Sequence, residues 1–253
     1  MMSKFRRVLN DLLIAGSLLT RIPLPQPVWP EDESPARAAW TYPLAGFLIA
    51  LLTGLVSLGL LNVGMPASFV AGIAIAISVL STGAMHEDGL ADCADGFWGG
   101  WDRARRLKIM KDSNTGAYGA IALLLAVGLR WTALTELFLA EWVWLPLLVS
   151  AIASRTCMVW VMACLPNARE DGLSNTTGRP SLLNAAIGSV WGILICVLLG
   201  WPSFVLICLA AVSTALWSRI ALRKIGGQTG DVLGATQQIC EITLLGAMTV
   251  LVI

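Results

Sequence analysis

Charge is what this sequence has least of. Only 13% of its 253 residues are Asp, Glu, Lys or Arg, about half the share of a soluble domain. The 17 Lys and Arg nearly cancel the 16 Asp and Glu. The basic surplus that a nucleic-acid backbone demands is therefore missing, and nucleic acid is excluded as a partner. There is one His, and none of the six Cys forms a C-x-x-C pair, which leaves little for a zinc centre or a disulfide framework. Most of the Cys sit in apolar runs, where Cys behaves as a small hydrophobe. The composition equally excludes disorder and a coiled coil. What is present is apolar: 57% hydrophobic residues, a mean hydropathy of +0.75 and 11 Trp, the ring that favours a lipid–water boundary. The chain reads as an all-α, polytopic helical membrane protein.

A spanning helix needs about 20 mostly apolar residues. Runs at 40–61, 67–85, 117–139 and 142–165 qualify, the third interrupted by Arg130 and Glu136 and the fourth by Arg155. The uncharged run 182–218 is too long for one helix, and Gly200-Trp201-Pro202 divides it in two. Residues 232–253, with the single acid Glu241, make a seventh. At the N-terminus, residues 1–7 have the charge of a secretory signal, but Asn10 and Asp11 interrupt its apolar part and no small-residue cleavage site is present. Phe5, Val8, Leu9, Leu12 and Leu13 share a face, which predicts a retained interfacial helix over about 5–19. The expected organisation is one integral membrane catalytic domain over 1–253: that helix, then a bundle over about 40–253 with loops at 86–116, 166–181 and 223–235.

Most Lys and Arg fall in those loops and before the first span, whereas the turns near Asn62, Glu141 and Trp201 hold neither. The positive-inside rule then predicts a cytoplasmic N-terminus, cytoplasmic long loops and an outer C-terminus. The outer turns are too short to build a site, so any chemistry belongs to the cytoplasmic side.

The second span continues into His86-Glu87-Asp88-Gly89-Leu90-Ala91-Asp92-Cys93-Ala94-Asp95-Gly96. Asp88, Asp92 and Asp95 are spaced i, i+4, i+7, so a continued helix carries all three carboxylates on one face. Like charges at that spacing repel, and a hard divalent cation is the simplest neutraliser. Mg²⁺ takes oxygen ligands and characteristically combines one or two carboxylates with substrate phosphates. His86 is either a proton shuttle or a cap at the membrane boundary. A solvated polar helix end is the bland alternative for the whole segment, and it leaves three aspartates in register unexplained.

Three further features complete the candidate set. Lys111-Asp112-Ser113 leads through Gly116 into the third span, with Asp112 a cation ligand or general base and Lys111 and Ser113 placed for phosphate. Gly226-Gly227-Gln228-Thr229-Gly230-Asp231 has the glycines of a backbone phosphate nest feeding a helix N-terminus; N-capping by Thr229 or Asp231 is its structural alternative. It lacks the Lys-Ser/Thr of a P-loop. Arg130 and Arg155 lie within spans, where a charge costs roughly 2.5–3.5 kcal/mol on insertion scales. They are expected to face a polar interior, paired with Glu136, Glu241 or an anionic substrate. Arg103, Arg105 and Arg106 read equally as phosphate cradle or lipid-headgroup anchors.

The segments His86–Gly96, Met110-Lys111-Asp112-Ser113 with Gly116, and Gly226–Asp231, together with Thr20-Arg21-Ile22-Pro23 and Tyr42-Pro43-Leu44-Ala45-Gly46, resemble the cobalamin synthase family, the adenosylcobinamide-GDP ribazoletransferases. The chain departs from that pattern at Glu87, where an apolar residue is expected, and at Tyr118, where relatives can carry His. The resemblance implies a Mg²⁺-dependent enzyme of the bacterial inner membrane. It would join adenosylcobinamide-GDP to α-ribazole or its 5′-phosphate, release GMP, and work among membrane lipid and the other enzymes of cobalamin assembly. It further implies Asp88, Asp92 and Asp95 as metal ligands, Asp112 and His86 as catalytic groups, and the Gly226–Asp231 loop with an Arg or Lys on phosphate.

Two other readings exist. A CDP-alcohol phosphotransferase also uses helix-borne aspartates in a membrane, but its Asp-Gly is followed by Ala-Arg, and here Ala91-Asp92 follows Asp88-Gly89. An ion-coupled transporter would bury charges too, yet no internal repeat is visible and the acids cluster at one surface.

Overall fold

A two-residue break decides where the acidic face goes. The computed structural model describes residues 4–29 and 34–253. Helix α3 (Ala67–Thr82) ends at Gly83 with φ +65°, and Ala84 follows with φ +59°. Their amides turn back to Leu80 O and Val79 O at 3.2 and 2.9 Å, closing α3 as glycine-ended helices commonly do. Helix α4 (Met85–Gly99) then leaves at 88° to α3. Arg21 lies over the break: its backbone amide donates to Ser81 O at 2.7 Å, and a Cβ on Gly83 would meet its Nε at 2.7 Å. The apolar residues are thus in α3, and the polar limb turns away.

The remaining helices are α1 (Lys4–Leu19), α2 (Tyr42–Asn62, entered through a 3-10 turn at Pro35–Thr41), α5 (Arg103–Ile109), α6 (Ala117–Leu139), α7 (Trp144–Cys164), α8 (Leu173–Thr177), α9 (Leu182–Val197), α10 (Pro202–Ile225) and α11 (Gly230–Leu251). Among the described residues no strand forms, only one parallel bridge between Asn167 and Gln228. Helix α1 covers the range expected to be helical, with Phe5, Val8 and Leu9 exposed; residues 1–3 lie outside the described residues.

The chain is a polytopic helical membrane protein, but its spans differ from the expected seven. Among the described residues four helices are long and apolar enough to cross, Pro35–Asn62, α6, α7 and α10, with the bent α3–α4 pair a fifth at most. Helix α9 is only 16 residues long, because its last turn unwinds ahead of Gly200-Trp201-Pro202. Helix α11 has the length, but Thr236, Gln237, Gln238 and Glu241 dilute its apolar content, and all four are buried among other helices. Helix α7 is the centre, 78% of its apolar window being buried. Helices α2, α9 and α11 pack around it, and α4 lies against both α6 and α11. The segment expected as a loop at 86–116 is therefore largely two helices, α4 and α5.

Basic residues fasten the loops by donating to carbonyls. Arg103 reaches Ala168 O at 2.8 Å, Arg106 reaches Gly100 O and Lys224 O at 3.0 Å, and Lys224 reaches Phe97 O at 2.8 Å.

Candidate active site

Because α4 is helical throughout, Asp88, Asp92 and Asp95 do emerge on one side of it, but into three environments. Asp88 is exposed, Asp92 half-buried and Asp95 buried. Burial, and then the charges of Asp88, Asp231 and Asp95, push the Asp92 carboxyl up to about 7; Arg169 pulls the other way. The repulsion anticipated from the spacing is therefore concentrated on Asp92.

Asp95 is turned into the start of α6. Its Oδ2 accepts the Gly116 amide at 2.7 Å and its Oδ1 the Gly119 amide at 2.9 Å. A carboxylate on the free amides of a helix N-terminus satisfies orphan donors and opposes the helix dipole. The approach requires glycine twice: a Cβ on Gly116 would lie 2.5 Å from Oδ1, and one on Gly119 2.3 Å from Oδ2. Asp95 joins α4 to α6, while Asp88 and Asp92 carry the open part of the face.

A fourth acid joins them from α11. Gly89 lets the two helices touch, since a Cβ there would meet Asp231 O at 2.7 Å. Asp231 Oδ2 takes the Arg169 Nη2 at 3.3 Å and the Thr229 hydroxyl at 3.1 Å. Burial raises its carboxyl above the usual range, against the pull of Arg169. Arg169 stands on the α7–α8 loop and is not legible from the sequence, where it reads as one more positive residue in a long loop.

The Gly226–Asp231 segment is held from below. Gln228 N donates to Pro166 O at 2.8 Å and Ala168 N to Gln228 O at 2.9 Å. The fully buried Gln228 side chain accepts from Ser174 Oγ at 2.6 Å and donates to Asn167. Gly227 lies against this seam, where a Cβ would meet Pro166 O at 2.2 Å. Thr229 caps α11 by accepting the Val232 amide at 3.3 Å. Gln228 and Thr229 therefore shape the loop, and Gly226, Gly230 and Asp231 are its less buried positions.

Asp112 is exposed and holds its own turn, its Oδ1 accepting from Asn114 N at 3.1 Å and Asn114 Nδ2 at 2.7 Å. Those bonds, the backbone one foremost, draw its carboxyl below the usual range, a poor setting for a base. Lys111 pairs with Asp171, and Ser113 is exposed.

Behind the acidic face lies a buried polar layer. Arg130 Nη1 meets Glu87 Oε1 at 3.1 Å and Glu241 Oε1 at 3.6 Å. Gln238 Nε2 donates to Glu87 Oε1 at 3.0 Å, and Gln237 donates to Ser154 and Glu241. Arg155 Nη1 donates to Ala151 O at 2.9 Å. His86 belongs to this layer: it is 1% exposed, and its Nε2 has no hydrogen-bond partner among the described residues. Arg130 and Arg155 face a polar interior as expected; Arg130 pairs with Glu241, as anticipated, and also with Glu87, whereas Glu136 is exposed and meets neither arginine.

All free donors on the face are oxygens, the set a hard cation prefers. Among the described residues no three His, Cys, Asp or Glu side chains converge as a metal cage. The open arrangement fits a cation that keeps waters and takes substrate oxygens as ligands, and it does not fit a closed structural site.

The chain matches the Cobalamin-5-phosphate synthase family over residues 11–249. It is 42% identical over 242 residues to a protein of Bradyrhizobium diazoefficiens named adenosylcobinamide-GDP ribazoletransferase, covering 95% of this chain and 93% of that one. Proteins of the same name from Sinorhizobium sp. and Mesorhizobium japonicum are 40% and 39% identical, covering 96% and 95% of this chain and 97% and 93% of their own. No solved structure matches.

Proposed function

The chain belongs to the cobalamin-5-phosphate synthase family, and on that premise we propose how its acidic face serves an adenosylcobinamide-GDP ribazoletransferase. It is a membrane transferase of cobalamin synthesis. A hydroxyl of α-ribazole, or of its 5′-phosphate, attacks the cobinamide-side phosphorus of adenosylcobinamide-GDP and loses its proton to solvent, the P–O bond to the GMP portion breaks, and GMP leaves in line.

The observation that carries the site assignment is the crowding of Asp88, Asp231 and Asp95 around Asp92, whose half-buried carboxyl is pushed up to about 7. Such crowding is relieved by a divalent cation, and a substrate pyrophosphate would supply that cation's remaining oxygen ligands. Asp88 and Asp92 would hold Mg²⁺, with Asp231 at its edge. When bound, Mg²⁺ neutralises these acids and stabilises charge on the departing GMP. Asp95 keeps α6 against α4, so the two open carboxylates stay in register. Gly226 and Gly230 leave the loop backbone open toward phosphate, while Gln228 and Thr229 hold that loop in place. Lys111 with Asp171, and Asp112 with Asn114, shape the neighbouring rim. Arg130 acts from behind, through Glu87, on the placement of α4, and Arg155 and His86 lie buried in the same layer.

The clustering of Lys and Arg in the loops that carry this face supports a cytoplasmic site in the bacterial inner membrane. The test is GMP release from adenosylcobinamide-GDP by membranes containing the protein, with each acceptor, with and without Mg²⁺. Metal-dependent release needing an acceptor supports the reading, and absence of release with both acceptors refutes it.

A further inference from the structure

The acidic face faces one guanidinium, and that guanidinium is under-bonded. Arg169 acts on both Asp92 and Asp231. An Arg–carboxylate pair at its best is a two-pronged contact at about 2.7–2.9 Å. Arg169 has nothing so good. Its Nη2 makes a single bond to Asp231 Oδ2 at 3.3 Å, and its Nε lies 3.9 Å from Asp171 Oδ1. Asp171 is itself exposed and shared with Lys111. The Arg169 Nη1 is shielded from solvent yet has no hydrogen-bond partner among the described residues. One side of the fork is therefore unused, at the edge of the face where phosphate is expected.

The loop around Arg169 is built to hold the base of its side chain there. The parallel bridge of Asn167 to Gln228 fixes the backbone two residues before it, and Arg103 holds Ala168 O at 2.8 Å. Three residues after it, Gly172 has φ +99°, and a Cβ there would lie 3.4 Å from the Arg169 Nε. The base of the side chain is anchored and its far end is loosely held.

We infer that Arg169 is a movable counter-cation, holding Asp231 in the resting protein and turning its fork onto the substrate's pyrophosphate when the nucleotide-linked substrate docks. This rests on the function proposed above. Asp88 and Asp92 would hold the accompanying cation, whose charge would neutralise the carboxylates and weaken the hold of Asp231 on Arg169. A phosphate offers the bidentate oxygens that the guanidinium lacks in the resting state.

The test uses full-length protein in detergent carrying Arg169→Lys or Arg169→Ala. Three quantities are read: melting temperature, Mn²⁺ binding without substrate, and equilibrium binding of adenosylcobinamide-GDP. Lys keeps a point charge beside Asp231 but has no fork. The expected result for Arg169→Lys is wild-type melting and wild-type Mn²⁺ binding, with substrate affinity and KM worse by roughly 10-fold. Arg169→Ala should lose roughly 10- to 100-fold, the loss of a charged hydrogen-bonding group. Wild-type substrate affinity in Arg169→Lys overturns the inference, as does loss of Mn²⁺ binding in step with substrate. If Arg169→Ala does not fold, Arg169→Lys decides alone. Failure of the wild-type protein to release GMP would instead count against the proposed function, so the two failures are distinguishable.

Discussion

Replacing Gly119 with Ala should unseat Asp95 without touching a charged residue. A Cβ at 119 would lie 2.3 Å from Asp95 Oδ2 and 3.0 Å from Ala91 O. The first separation is impossible, so the carboxylate must leave. Leaving breaks its bond to the Gly119 amide at 2.9 Å and strains the one to Gly116 at 2.7 Å. A hydrogen bond to a charged group is worth about 1.5–3 kcal/mol, and a carboxylate at a helix N-terminus adds about 0.3–1 kcal/mol. Gly119→Ala should therefore destabilise by about 2–4 kcal/mol, a fall in melting temperature of about 5–15 °C for a chain of this size. The assay is thermal unfolding in detergent of the single variants and of the pair with Asp95→Ala. Once Asp95 is Ala, the clash with the carboxylate is gone, and adding Gly119→Ala should do little more than press on Ala91 O. The double-mutant cycle should thus show coupling of about 1–2 kcal/mol. Strict additivity, or an unaffected Gly119→Ala protein, would refute the assignment of Asp95 to the start of α6.

The same geometry sets three other outcomes. Arg130→Met removes the partner of two buried acids, Glu87 and Glu241, and should destabilise by about 3–5 kcal/mol, read by the same unfolding assay, with Glu87→Gln much milder. Asp112→Asn should keep GMP release within about threefold, because a carboxylate held by Asn114 below its usual range is an ineffective base; a hundredfold loss in initial rate would return Asp112 to the chemistry. In the metal-free protein Asp92, raised to about 7, binds a proton that the unfolded chain has already lost between about pH 4 and 7. Its stabilising effect is present at the low end of that window and fades as pH rises through 7. Metal-free protein should thus melt higher at pH 6 than at pH 8, while saturating Mg²⁺, which competes for the same carboxylate, should reverse the trend.

Local pattern makes the acidic face legible, and distant contacts decide what each acid does. The spacing of Asp88, Asp92 and Asp95 places them on one helix face, and α4 is helical through all three. Nothing near Asp95 in the chain announces that Gly116 and Gly119 cover it. The intramembrane cost of Arg130 and Arg155 correctly requires a polar interior, and the mate of Arg130 at Glu87 stands out only as an unexpected charge. Gln228 sits in a glycine-rich run that reads as a phosphate nest, yet its side chain is buried against Ser174 and Asn167. The seven apolar runs read from the sequence become helices of unequal kind, because α9 is only 16 residues long and the polar residues of α11 are buried among other helices. Arg169 has no sequence signal at all, since loop arginines are expected wherever a membrane protein faces the cytoplasm.

The decisive measurement is the rate of GMP release from adenosylcobinamide-GDP as Mg²⁺ is titrated, for the wild-type protein beside Asp92→Asn. Saturable metal dependence in the wild type, abolished by chelation, with release by Asp92→Asn at least a hundredfold lower, is the expected result. Undiminished release by Asp92→Asn, or by wild-type protein stripped of divalent cation, would contradict the placement of the reaction on this face.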